Sequence, residues 1–598
     1  MGDQYIPTGN EMISIPELGM SDGAIHDFTF LHMGFKGLID VRGNESVPLI
    51  KPFLAQDGKT VPFEIVNWSR EGYWVPVYHA RAGMFDIKGI ILTPVGERGF
   101  VYRIEIRNNS DTDQNIDLGI SGCWSETYHC VNEDKVIDAK KFVYRSSWND
   151  NLIFDLRNGI GLFSFAPMTS LPAETAYDIR DGEVNYRISC KIALPAGEEG
   201  YVDFYWGLGF EEVASATSAK EMLRKGFDPL YDETLRWLKK RSCHFRDEKI
   251  NELYHINLFF NYFFATGKTL DTEELVLVTS RSPRYYVSAA YWDRDSLLWS
   301  FPAILQADPA YARDMLDYVF TRQIKNIGIH SRYIDGTVLE PGFELDELCA
   351  PVMALYNYVK VSGDREYLTE HHIIKGIRRI LEILGSKKHP EIDLYETFLQ
   401  PTDDMHVYKY ITYDNVLVWL VLNHIAELFR DIFQPAELSA LKDAALKVRE
   451  AIEKHCIKVH EGRKIYAWSV DLKGNYDVYD EPPGSLQLLA FLGFCDRGDE
   501  VFLNTVDVIR DRNYPYSFAD SNFPETGCPH APHPWVLSIA NSLLYGRIDH
   551  CLDILKRIKM DNLVACESID ENTGECVTGA AFATCAGFLA YAIRTVLE

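Results

Sequence analysis

The feature that most constrains this chain is a change of hydrophobic period near residue 210. Before it, Tyr102, Ile104 and Ile106 alternate with Arg103, Glu105 and Arg107, and the alternation resumes at Ile116, Leu118 and Ile120 after Asn108-Asn-Ser-Asp111. A period of two places every second side chain on one face, as in a half-buried strand. Two such runs joined by turn-forming residues read as a β-hairpin or meander. Val184–Leu194 and Tyr201–Leu208 continue the pattern. Residues 1–210 are therefore expected to form an antiparallel β-sandwich.

Beyond Gly209 the period lengthens. Ala214, Ala216, Met222 and Leu223, then Leu230, Leu235 and Leu238, predict a helical linker over 211–245. Ile250, Leu253, Ile256, Phe260 and Phe263 share one helical face, and comparable stripes recur to the C-terminus. They predict helices near 247–265, 295–306, 309–325, 346–361, 365–385, 413–430, 436–455, 484–491, 498–512, 535–546, 548–559 and 579–596. Twelve helices in sequential antiparallel pairs predict an (α/α)6 barrel over 246–598, with the long connections gathered at one end. The expected fold class is multidomain β + α, an N-terminal antiparallel β-sandwich followed by that barrel.

Asp and Glu total 87 against 60 Lys and Arg, a formal charge of -27 over 598 residues. Such a surface repels phosphate backbones and anionic membranes, so neither nucleic acid nor membrane is expected as a partner. The N-terminus, Met1-Gly-Asp-Gln-Tyr-Ile-Pro, carries no basic and apolar leader. Twelve cysteines without paired spacing suit a reducing compartment. The expected location is cytoplasmic. Cys528-Pro-His530-Ala-Pro-His533 is the nearest approach to a metal motif, but it lacks a four-ligand set, and no metal is expected. Walker, GxGxxG, GxSxG and HExxH patterns are all missing from the sequence, so no cofactor is expected either.

The chemistry falls in the long connections. Pro401 stops any helix arriving from Ile373–Leu384, and the apolar pattern resumes only at Asn415, so the adjacent carboxylates Asp403 and Asp404 lie in a loop before the sixth helix. Glu567 occupies the connection before the twelfth. Cleaving a glycosidic bond needs one carboxyl to protonate the leaving oxygen and a second to activate water or attack carbon. Sugar-binding types cluster in the other connections: Trp292, Arg294 and Asp295; Glu344 and Asp346; Asp480 and Glu481; His530, His533 and Trp535. Each also has an ordinary structural reading. Asp295 or Ser296 could cap a helix, Glu344 and Asp346 could complement a helix dipole, and Asp403-Asp404 could be a solvated turn.

The order Trp292-x-Arg294-Asp295-Ser296, Phe343-Glu-Leu-Asp-Glu-Leu-Cys349, Pro401-Thr-Asp-Asp404, Asp480-Glu-Pro-Pro-Gly-Ser-Leu486, Pro529-His530 with Trp535, and Glu567-Ser568 resembles the metal-independent exo-α-mannosidases of glycoside hydrolase family 125. The resemblance covers Tyr285 to the C-terminus. It implies an (α/α)6 barrel, inversion without a metal, and removal of a terminal α-linked mannose from an oligosaccharide or glycoside. It also implies an acid within Asp403-Asp404, with Asp403 the first choice, and Glu567 as base. The preceding sandwich and the Trp-Asp-Arg-Asp tetrad are closer to the glucoamylase and glycogen-debranching group of (α/α)6 enzymes. Val577-Thr-Gly-Ala-Ala-Phe-Ala583 also departs from the family's aromatic, Arg-containing segment. An α-glucosidase, glucoamylase-like or debranching-type enzyme is therefore the second expectation; a glycoside phosphorylase or sugar epimerase on a similar barrel, and a non-catalytic carbohydrate-binding protein, are the rival readings.

Overall fold

The computed structural model describes residues 5–147 and 150–598. They form two compact units, Met1–Cys243 with Thr266–Val276 and Arg281–Ala289, and His244–Ala265 with Leu277–Ser280 and Ala290–Glu598.

The first unit is built on three antiparallel sheets. The largest has eight strands, with Glu199–Gly209, Gly99–Asn108 and Phe85–Leu92 side by side. A five-stranded sheet is centred on Gln114–Trp124, and a six-stranded sheet begins at Tyr5–Gly9. Their apolar faces meet in one aromatic core: Phe165 lies 4.8 Å from Phe154, 5.2 Å from Trp124 and 5.3 Å from Phe28 between ring centroids. Rings at such separations add attraction beyond the area they bury.

The alternation at residues 102–120 does give strands, and Tyr102, Ile104 and Ile106 are buried. The strands are not, however, a hairpin. Gly99–Asn108 pairs with Phe85–Leu92 and Glu199–Gly209, whereas Gln114–Trp124 pairs with Glu183–Leu194 and Lys51–Gln56 in another sheet. The turn at Asn108–Asp111 crosses between sheets, so both strands face the same core from opposite sides. Hairpin and crossover share one alternating pattern, and the pattern alone cannot separate them.

Helices α1 (Glu212–Lys225) and α2 (Phe227–Arg241) follow within this unit. Helix α1 lies directly on the eight-stranded sheet, where a Cβ at Gly207 would stand 2.2 Å from the carbonyl oxygen of Ser215. Only glycine lets the two backbones approach so closely.

The second unit contains α3 (Glu248–Phe264), a π-helical turn at Arg294–Ser300 running into α4 (Phe301–Ala307), α5 (Pro309–Thr321), α6 (Leu345–Ser362) and α7 (His371–Lys387). These are followed by α8 (Thr412–Leu428), α9 (Pro435–His455), α10 (Glu500–Arg510), α11 (Val536–Tyr545), α12 (Ile548–Arg557) and α13 (Ala583–Leu597). Burial sorts all of these elements except α3, which is buried on nearly every side, into two rings. The π turn with α4, and α6, α8, α11 and α13, are buried around most of their circumference. Helices α5, α7, α9, α10 and α12 bury one stripe each. An all-round apolar helix belongs inside and an amphipathic one outside, which is the arrangement of an (α/α)6 barrel.

One inner position is not a regular helix. Where 484–491 was expected to be helical, the chain makes only two 3-10 turns, Pro482–Gly484 and Leu486–Leu488. Consecutive prolines supply no backbone N–H, and the Asp480 carboxylate takes the N–H of Leu486 at 2.7 Å. The last helix begins at Ala583 rather than near 579, because Ala581 has a left-handed φ of 60°. Among the described residues, no helix is long and apolar enough to cross a membrane.

Candidate active site

The site grows outward from Arg294, the first residue of the π-helical turn. Glu347, from the first turn of α6, accepts hydrogen bonds from the backbone N–H groups of Asp293 and Arg294 and thereby fixes where the turn begins. The Arg294 side chain, 1% exposed, then spans four carboxylates. Nη1 lies 2.8 Å from Asp346 and 3.0 Å from Glu344, and Nη2 lies 2.5 Å from Asp403 and 3.8 Å from Glu347. Asp293 is outside this set, paired with Arg332 and with the Tyr291 hydroxyl. A cation buried so deeply persists only where its charge and its fork of donors are both met.

Around this hub, burial and charge compete. Burial pushes the Glu344 carboxyl up to about 7 against the opposing pull of Arg294, with the Asp403 charge adding to the rise. Asp295 faces α13, where the Thr584 hydroxyl donates to it at 2.8 Å, and burial raises its carboxyl to about 7 as well. His330, on the short strand Ile329–Arg332, sets Nδ1 3.0 Å from Glu344 and 3.5 Å from Asp403, and Nε2 3.3 Å from Glu340. Burial alone would lower its ring, but the Glu344 bond and the Asp403 charge outweigh it and lift it to about 9. Trp292, buried at 4% exposure, stands edge-on to that ring at 5.6 Å.

Asp403 and Asp404 occupy a tight turn held from both sides. The N–H of Asp403 donates to the Gln400 carbonyl at 2.8 Å, and the N–H of Gln400 to the Asp404 carbonyl at 2.9 Å. Asp403 has a φ of 68°, a conformation that Asp tolerates better than most residues. Thr402 is clamped by the buried Glu481, which accepts from its N–H and its hydroxyl, both at 2.9 Å. The turn aims the two side chains apart. Asp403 meets Arg294, and Asp404 meets His530 Nδ1 at 3.0 Å.

Glu567 comes to the same imidazole from the far side of the sequence. Its Oε1 lies 3.8 Å from His530 Nε2, and its Oε2 accepts from the Thr578 hydroxyl at 2.6 Å. The backbone fixes it further: Glu567 donates its N–H to Gly579 and accepts from Val536, the first residue of α11. Asp404, the second of the two candidate acids, and Glu567 thus flank one histidine ring. Their side chains are 50% and 5% exposed, and that of His530 is 30% exposed.

The other expected residues divide between this cluster and its supports. Glu344, Asp346 and Asp403 all touch Arg294, and Trp535 packs 6.1 Å from His530. Asp480 caps a 3-10 turn through Ser485 and Leu486 and touches none of the cluster's side chains; burial raises it to about 7. Glu481 holds Thr402 rather than facing the acids. His533 turns away to Glu571 at 3.1 Å. Cys528 is buried, so the Cys-x-His-x-x-His stretch sends its side chains three ways. His330, Glu347, Thr578 and Thr584 were not expected. Glu347 lies within Phe343–Cys349, but an isolated His in a strand, a Thr at a strand end or a Thr in the first turn of a helix carries no pattern. His330, Glu344 and Asp403 have ligand-type atoms within 4.8 Å of one another, yet Arg294 already touches both carboxylates as their counter-ion.

Residues 385–594 match the model of the family described as metal-independent alpha-mannosidase (GH125). A meiotically up-regulated gene 157 protein of Schizosaccharomyces pombe is 23% identical over 313 residues, 44% of this chain and 61% of that relative, so the match spans less than two thirds of its length. Three solved structures resemble the fold. A metal-independent α-mannosidase of Streptococcus pneumoniae, in a non-productive complex with α-1,6-mannobiose, is 19% identical with a TM-score of 0.51, covering 63% of this chain and 98% of its own. A bacterial glucoamylase complexed with acarbose is 13% identical with a TM-score of 0.66, covering 100% and 95%. A kojibiose phosphorylase, so described from the human microbiome, is 11% identical with a TM-score of 0.59, covering 98% and 86%. These similarities place the chain among sandwich-plus-barrel folds that host glycoside chemistry.

Proposed function

We propose that this chain is an exo-acting, inverting α-glycosidase that hydrolyses terminal α-linked sugars, α-mannosides first among them. The carrying observation is the placement of Asp404 and Glu567 on opposite nitrogens of His530, at 3.0 and 3.8 Å. Two carboxyls on opposite nitrogens of one ring stand farther apart than the about 5 Å of a retaining pair, which favours the wider spacing of about 6.5–9.5 Å that inversion uses. The match of residues 385–594 to a mannosidase family supports mannose as the sugar.

In this reading Asp404, rather than Asp403, is the acid, because Asp403 already serves as counter-ion to Arg294. Asp404 gives its proton to the glycosidic oxygen as the C1–O bond breaks, and Glu567 takes a proton from the water that attacks C1 from the opposite face. Thr578 holds Glu567 in line, and the buried Arg294, Glu344 and Asp346 stand behind the acid-bearing turn through the Arg294–Asp403 pair. Asp295 and Asp403 are placed to accept sugar hydroxyls.

The test is a screen of aryl α-glycosides and manno- and gluco-oligosaccharides, with proton NMR of the first-formed anomer. Release of β-mannose from an α-mannoside supports the reading; an α-anomer product, or turnover only with phosphate present, overturns it.

A further inference from the structure

We infer that His330 is a positioning residue of this site, a ring that fixes Asp403 and Glu344 on one nitrogen and Glu340 on the other and so holds the acid-bearing turn. The inference rests on the glycosidase reading above. Nothing in the reaction uses His330 directly, yet its placement is too specific for packing alone. Nδ1 lies 3.0 Å from Glu344 and 3.5 Å from Asp403, and Nε2 lies 3.3 Å from Glu340. The ring is 9% exposed at its side chain and is braced edge-on by Trp292 at 5.6 Å.

The charges around it require its proton. Glu340 comes from the strand Val338–Phe343, Glu344 from the start of α6, and Asp403 from the turn, with one cation, Arg294, from the π-helical turn. A neutral ring can donate from only one nitrogen, leaving the carboxylates at the other to face a lone pair. An imidazolium donates from both. Arg294 reaches Asp403 through the same Oδ1 that faces His330, so the two cations grip that side chain together. With Oδ1 anchored, the next residue, Asp404, is turned toward His530.

The test compares kcat and KM of wild type and His330→Gln on the best aryl α-glycoside over about pH 5 to 10. Loss of one charged hydrogen bond lowers kcat about ten- to a hundredfold, with KM little changed. Beyond the alkaline limb that any general acid gives, the wild-type rate falls further as the ring, lifted to about 9, loses its proton, and this second step is missing from the variant. Wild-type kcat with an unaltered alkaline limb, or a loss confined to KM, overturns the inference. Should His330→Gln fail to fold, Glu340→Gln removes only the half-exposed partner, and it should move the second step to lower pH; an unmoved step overturns the inference. If the wild type cleaves no glycoside, the proposed reaction fails by itself. His330 is then judged by the ring C–H NMR signal that His330→Gln abolishes: titration near 9 supports the inference, and titration at the ordinary 6.5 overturns it.

Discussion

His530 Nε2 lies 3.8 Å from Glu567 Oε1, while the other nitrogen of the same ring faces Asp404 at 3.0 Å. Three separate loops therefore converge on one imidazole. If Glu567 is the base, Glu567→Gln keeps the size and the Thr578 bond but loses the proton acceptor. Its kcat on an α-mannoside should fall about 10²- to 10⁴-fold with an unchanged melting temperature. A variant turning over at wild-type rate would remove Glu567 from the mechanism.

Asp404 and Asp403 should separate by leaving group. Proton donation matters most when the departing oxygen is a poor leaving group. Asp404→Asn should therefore lose about 10²- to 10⁴-fold on a disaccharide but far less on a dinitrophenyl glycoside. Asp403→Asn should show no such dependence. The reverse pattern would return the acid role to Asp403.

Arg294→Met is expected to act on the fold as well as on the rate. It leaves Glu344, Asp346, Glu347 and Asp403 without their shared cation, and removing one partner of a buried ion pair costs about 3–5 kcal/mol. Urea unfolding measures this. A loss below about 1 kcal/mol, the range of an exposed pair, would show that the cluster does not depend on its charge balance.

Acid stability should depend on Glu525. Burial pushes this carboxyl up, but Arg510 at 2.8 Å, His550 at 3.0 Å and the hydroxyls of Ser538 and Ser542 outweigh it and hold it down at about 2, against an ordinary 4.5. A depressed carboxyl stabilises the fold fully above 4.5, and that contribution is lost as pH falls toward 2. Melting temperature followed from neutral pH downward should drop more steeply for wild type than for Glu525→Gln below about pH 4.5. Parallel curves would overturn the assignment.

Much of this was legible in the linear chain, for reasons that differ by element. Helices such as α7 and α12 announce themselves through apolar side chains that recur at helical spacing. Pro401 and the adjacent aspartates likewise mark a loop, because proline lacks the backbone donor a continuing helix needs, although Pro351 is carried inside α6. The crossover at Asn108–Asp111 was not legible, since a strand's pattern names its buried face but not its neighbour. The irregular inner position at Pro482–Leu488 was not legible either, because apolar spacing does not show that the Asp480 carboxylate takes the Leu486 N–H and leaves two 3-10 turns in a helix's place.

The roles divide along the same line. The sequence by itself determined the two kinds of secondary structure, the candidate acids and their order along the chain, because these follow from local periodicity and residue chemistry. Only the tertiary structure decided that Asp403 turns to Arg294 and Asp404 to His530, that Asp480 and His533 stand apart, and that His330 joins the cluster. Adjacent residues in a turn point in different directions, and which partners they meet depends on loops more than a hundred residues away.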